Sequence, residues 1–250
     1  MLIIFRTGGN FALFEYFSRP YTMNNYQPFT YDFEDFAGSK DFTKLFVTKV
    51  MNTHMGQYRS LPMYYKILAE ELHTEAYITF APQHIFIRHR DKQDSGKWVN
   101  VELTTQSLSR EIFYIEKFGI TDDAIRSKLY MYPHSNKETV AYILTELAYG
   151  YYKKYGKWNY FVMQCAELSL LYYPYNLHAF LYEGNVINEN IIQHLQFNNF
   201  QKDSIFIRLN NQWLKNNEKL RELGWRKMTD KTYEALLKET ELEKNLTRII

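Results

Sequence analysis

The chain is predicted to be an α+β protein: a mixed helix-and-sheet part followed by α-helical hairpins. Three observations carry this. Short apolar runs at residues 76–80, 85–88 and 98–103 alternate as strands do, and turn residues bound them. Beyond about Thr121 the apolar residues recur at helical spacing to the end. Gly150 and Gly184 stand 34 residues apart with Pro174 between them, the period of a repeated helical hairpin. The division is placed at 125/126, with the mixed part over 1–125 and the helical part over 126–250.

At 250 residues the chain has ample length for a core. Thirty Lys+Arg against 28 Asp+Glu leave a formal charge of +2, far from the basic excess a nucleic-acid footprint requires. No apolar run approaches the ~20 residues of a membrane span. The one cysteine, Cys165, has no internal disulfide partner and reads as a small buried residue in a helix. Aromatic residues reach 18%, with 22 Tyr and 18 Phe. They read first as core residues, and second as a surface on which sugars could stack.

The elements follow in order. Met1-Leu2-Ile3-Ile4-Phe5 is apolar but stops at Arg6, short of a secretory h-region of ~7–15 residues. As written, this points to a cytoplasmic chain; a truncated N-terminus leaves export open. Residues 10–50 are rich in Phe and Tyr, broken by Arg19-Pro20, Asn24-Asn25, Gln27-Pro28 and Gly38-Ser39. Asp41 to Met51 has helical spacing, with Phe42, Leu45, Phe46 and Val50 on one side. A helix then opens at Ser60, a candidate N-cap, with Pro62 in its first turn. It runs from Met63 to about Leu72, with Tyr64, Ile67, Leu68 and Leu72 facing the core and Glu70-Glu71 exposed. The three strands come next, the last two joined by a charged loop from Arg90 to Lys97. Arg88-His89-Arg90-Asp91-Lys92 reads as its solvated tip. Thr139 to Tyr152 and Trp158 to Tyr172 form an antiparallel helix pair around Tyr155-Gly156-Lys157. Tyr173 to Asn176 breaks the chain before a further helix from about His178. From Gln193 to Phe200 and onward the chain is Asn-rich and amphipathic. The tail from Asn216 to Lys244 carries mixed charges at i,i+4 spacing, as a solvated face does.

One constellation carries chemistry. Tyr58 stands at a helix N-terminus, where the dipole favours an anion. His84 opens the second strand and Glu102 lies late in the third. Helix start, then imidazole, then carboxylate is the order in which papain-like folds place nucleophile, base and orienting group. At these residues the sequence resembles the transglutaminase-like superfamily, whose members carry Gly-x-Cys before a helix, a His opening a strand, and Trp-x-x-x-Asp-x-Thr on the next. It is similar to bacterial members with Gly-x-Cys-x-Ser-Leu-Pro, Ala-Pro-x-His and Glu-Leu-Thr motifs and a helical C-terminal region. The matching stretches here are Gly56-Gln57-Tyr58-Arg59-Ser60-Leu61-Pro62, Ala81-Pro82-Gln83-His84 and Trp98 to Thr105. The resemblance covers residues 40–125 and, more loosely, the helices to about 190, where the 34-residue spacing resembles degenerate tetratricopeptide repeats. It implies a papain-like core, with Tyr58, His84 and Glu102 at the triad positions and Gln57, Arg59, Gln83 and Trp98 as binding positions beside them.

The departure decides the expected function. Where the family has its thiol, this chain has Tyr58, whose phenol has a pKa near 10 and whose ring fills the space of the thiolate. Thiol acyl transfer should therefore be absent, with Tyr58 a plug hydrogen-bonded to His84. The reading is a catalytically inactive transglutaminase-like protein that binds a peptide or protein ligand. Two alternatives stand beside it. One is a hydrolase in which His84 and Glu102 activate water with Tyr58 as oxyanion donor. The other is a glycan-binding protein using exposed, coplanar aromatic rings. No cofactor and no metal are expected. His54, His89 and His134 lie in separate segments without ligand spacing, and Gly8-Gly9 lacks the Lys-Ser/Thr of a phosphate loop.

Overall fold

The computed structural model describes residues 8–35 and 41–227, together with Lys238. The expectations for Met1–Phe5, for the Gly38-Ser39 turn and for most of the tail beyond Lys227 lie outside these residues. The chain up to Gly119 forms one compact unit and Ile120–Trp225 forms a second.

In the first unit, the aromatic-rich stretch begins with a helix, α1 (Gly9–Ser18), that buries Leu13 and Phe17. A two-residue strand, β1 (Thr30–Tyr31), pairs in parallel with β2 (Met55–Gly56). Between them lie a 3-10 turn at Phe42–Leu45 and α2 (Val47–Thr53). Of the four residues expected on one side, Leu45 and Val50 enter the core while Phe46 stays exposed.

Helix α3 (Ser60–Glu71) keeps Pro62 in its first turn, but Ser60 does not cap it: Arg59 holds the cap position, and the Ser60 hydroxyl accepts from the Gln57 N–H at 3.0 Å. Its buried stripe is Leu61, Tyr65 and Ala69, one residue round from the expected Tyr64, Ile67, Leu68 and Leu72. Tyr65 decides the rotation. Its ring lies 5.4 Å from that of Phe17 and its hydroxyl donates to the Asn10 carbonyl at 3.0 Å, a fully enclosed position.

The sheet is an antiparallel meander of β3 (Tyr77–Ala81), β4 (His84–Arg90), β5 (Trp98–Glu102) and β6 (Ser107–Ser109). Ile78, Phe80, Ile85, Ile87 and Val101 alternate onto one buried face. The hairpin tip is solvated only from about Asp91 onward. Arg88, expected there, is 3% exposed within β4; it pairs with Glu111 and lies 4.9 Å over the Trp98 ring. A buried guanidinium keeps its charge only where a carboxylate and a ring face replace water. Glu111 begins α4 (Glu111–Phe118), a helix that ends at Gly119 with φ 60°.

The second unit contains α5 (Asp122–Arg126), α6 (Asn136–Tyr155), α7 (Tyr160–Tyr172), α8 (Leu177–Phe197) and α9 (Ser204–Glu222). Ser135 and Glu138 form a reciprocal capping box at the start of α6, and Gly156, with φ 66°, ends it. Asn159, Asn176 and Asp203 cap the three helices that follow. Small residues let these helices close up: Ala148, Val162, Cys165, Ala166, Ala179 and Val186 form the core with Tyr182. Helices α6 and α8 run parallel, because Tyr142 meets His178 (5.7 Å) and Tyr149 meets Tyr182 (6.2 Å). They begin at Asn136 and Leu177, 41 residues apart, a longer step than the glycine spacing implies. Among the described residues no helix is long and apolar enough to cross a membrane.

Candidate functional site

Tyr58, His84 and Glu102 are brought together, each by a local feature of the sequence. Gly56 ends β2 because nothing larger fits: a Cβ there would lie 2.6 Å from Val50 Cγ2 and 2.9 Å from Leu61 Cγ. The chain then turns through Gln57, Tyr58 and Arg59 into α3. His84 follows a two-residue turn in which Pro82 fixes its own φ and Gln83 takes a φ of 56°. The pairing of Ile87 with Val101 carries Glu102 opposite Phe86, two positions from His84 on the same sheet face.

Glu102, 2% exposed, is fully engaged. One oxygen accepts from His84 Nε2 at 2.6 Å and from the Tyr114 hydroxyl at 3.2 Å. The other accepts from the Thr104 N–H at 3.0 Å and from its hydroxyl at 2.7 Å. Four donors leave it no role but that of carboxylate. Burial works to raise its pKa, yet the His84 charge and the donors from His84 and Thr104 outweigh burial and hold it below the usual value. Burial, and then the same carboxylate, push the Tyr114 phenol well above its ordinary range, so Tyr114 stays a neutral donor.

With Nε2 turned to Glu102, the His84 ring presents Nδ1 on its other side, and Nδ1 has no hydrogen-bond partner among the described residues. Tyr58 is not that partner. Its ring lies near-parallel to the imidazole (25°, centroids 6.0 Å apart), while its hydroxyl accepts from Arg59 Nε at 3.1 Å. The expected Tyr58–His84 hydrogen bond is thus replaced by ring stacking. The edge of the phenol is taken by the neighbouring guanidinium, which leaves the ring face for the imidazole. Phe118, the last residue of α4, stacks on His84 as well (17°, 5.4 Å). Tyr58 is 8% exposed and the His84 side chain 12%.

The flanking positions divide. Arg59 touches Tyr58 and lies at the site. Gln57 is fully buried behind it, its Nε2 donating to the Asp35 carbonyl while Oε1 lacks a partner among the described residues. Gln83 is exposed at the β3–β4 turn. Trp98 is not part of the site: four residues along β5 from Glu102, about 13 Å away, it carries Arg88 and Arg90 on its ring instead. Tyr114 and Phe118 are the residues missed. Glu111, Tyr114 and Phe118 fall at helical spacing on α4, and only that spacing could have signalled them.

The three histidines without ligand spacing are held by other contacts. His54 donates from Nδ1 to the Gln27 carbonyl at 2.7 Å, His89 donates to the Arg90 carbonyl at 2.8 Å, and buried His134 lies 2.7 Å from the Tyr173 hydroxyl. Among the described residues no group of three or more His, Cys, Asp or Glu could hold a metal ion. The arrangement is an imidazole–carboxylate pair whose ring stacks near-parallel with the Tyr58 phenol and the Phe118 ring. Searches against family models, curated proteins and solved structures gave no match.

Proposed function

We propose that this chain is a catalytically inactive transglutaminase-like protein that acts as a peptide- or protein-binding module. The observation that carries the reading is Tyr58 just before α3, its ring stacked near-parallel to that of His84 while Glu102 holds the imidazole Nε2. That is a proton-transfer pair without its nucleophile. A water-activating hydrolase has less support, since Tyr58 and Phe118 both pack on a largely enclosed His84. A glycan platform has less too. The Trp158 ring packs on Tyr152 at 4.0 Å and against Tyr182 at 5.5 Å instead of lying open.

The test is amine incorporation into, and hydrolysis of, a glutaminyl peptide. Wild-type protein should show neither above a buffer control. Activity that disappears in His84→Ala would overturn the reading. In Tyr58→Cys, the new thiol should react with iodoacetamide at pH 6 about ten-fold faster than free cysteine, and His84→Ala in that background should remove the advantage. A thiol that reacts like free cysteine would mean that the start of α3 is not a nucleophile slot.

A further inference from the structure

Helices α8 and α9 meet at a contact whose chemistry is incomplete. Asn216 of α9 is 7% exposed, and its amide Nδ2 donates to Glu183 Oε2 of α8 at 3.2 Å. Its carbonyl Oδ1 is buried and has no donor among the described residues. The approach is close by construction. A Cβ on Gly184 would lie 3.0 Å from that oxygen, so glycine is what allows the amide to sit there. An orphaned buried acceptor is costly, and turning the amide over only transfers the deficit to Nδ2 and sets two oxygens face to face.

One change satisfies both atoms. A carboxylic acid and a primary amide can share two hydrogen bonds, the acid O–H to the amide oxygen and the amide N–H to the acid carbonyl. We propose that Glu183 keeps its proton in the folded protein and donates it to Asn216 Oδ1, so that an acid–amide pair holds α9 on α8 and weakens as pH rises. The electrostatics agree. Burial first, and then the charge of Glu167 on α7, push the Glu183 carboxyl up to about 7, against the Asn216 donor. Glu167 is the charged group that acts on it from α7. Asn216, which is neutral, faces it from α9, where Lys219 is engaged with Glu222.

The sign follows from linkage. The group's ordinary value is 4.5, so the unfolded chain releases this proton first. Stabilisation is complete below about pH 4.5 and is lost as pH rises toward 7, flattening above. The experiment is hydrogen exchange of the full chain at pH 5, 6, 7 and 8, with α9 amide protection corrected for intrinsic rate. In wild type the opening equilibrium of α9 should grow up to ten-fold per pH unit between 5 and 7. Glu183→Gln keeps both hydrogen bonds without a proton and should show a flat profile. Glu167→Gln should move the wild-type transition to lower pH. The same profile in wild type and Glu183→Gln overturns the proposal. So does a Glu183 side-chain carboxyl that titrates near 4.5 by NMR.

Discussion

At the residue scale the weight falls on Glu102, a carboxylate with four donors and no contact with water worth the name. Glu102→Gln places an amide N–H against a donor from His84, Tyr114 or Thr104, and should cost about 1–3 kcal/mol at pH 7 in urea unfolding. The wild-type carboxyl is held below its ordinary 4.5, so its contribution is present above that value and is lost as pH falls through the lower folded one. Below pH 4.5 the stability curves of wild type and Glu102→Gln should therefore converge. Tyr58 has the opposite balance. Tyr58→Phe loses only the Arg59 contact and should stay within about 1 kcal/mol, whereas Tyr58→Ala empties the slot against His84 and should cost about 3–5 kcal/mol. The His84–Glu102 pair was legible because turn chemistry marks His84 at the start of one strand and alternation places Glu102 late in the next. The stacking of Tyr58 was not: nothing in Tyr58-Arg59 says that the guanidinium takes the hydroxyl.

At the element scale, the strands that alternate were readable and the elements that do not alternate were missed. β3, β4 and β5 carry one apolar face each. α1 is apolar on nearly every side, so it offers no 3.6-residue period. In α4 the run Ile112-Phe113-Tyr114-Ile115 favours strands, and the helix stands because Glu111 pairs with Arg88 and Tyr114 stacks on Phe86 at 3.9 Å. α3 shows a different failure. Leu61, Tyr65 and Ala69 compete with Tyr64, Leu68 and Leu72 as apolar stripes, and periodicity alone cannot choose between them. The turn into α3 gives the test at this scale. Gly56→Ala drives a methyl into Val50 and Leu61, and should cost about 1–3 kcal/mol while shifting the NMR signals of the Tyr58 ring. An unchanged midpoint with unmoved Tyr58 signals would mean that β2 relaxes freely and does not set the start of α3.

At the scale of the whole molecule, the sequence marks where strand alternation gives way to helical spacing, near Thr121, but says little about how the helical part closes on itself. The Gly150–Gly184 period suggested degenerate helical repeats and carried no sign of how their ends meet. The second unit is fastened end to end. The Ser127 hydroxyl, just after α5, donates to the Leu223 carbonyl just beyond α9 at 2.7 Å, across 96 residues. Gly224, with φ 76°, lets the backbone pass so near that a Cβ would lie 2.9 Å from the Ala124 nitrogen. Short-range helix contacts, its own apolar core and joined ends are the properties of a part that folds alone. A fragment of residues 120–225 should therefore give a helical circular dichroism spectrum and one cooperative urea transition. Gly224→Ala in that fragment both strains φ and drives a methyl into backbone, and should lower its stability by about 2–3 kcal/mol. A broad, non-cooperative transition in the unsubstituted fragment would show that the Ser127–Leu223 closure is not enough to hold these helices without the remainder of the chain.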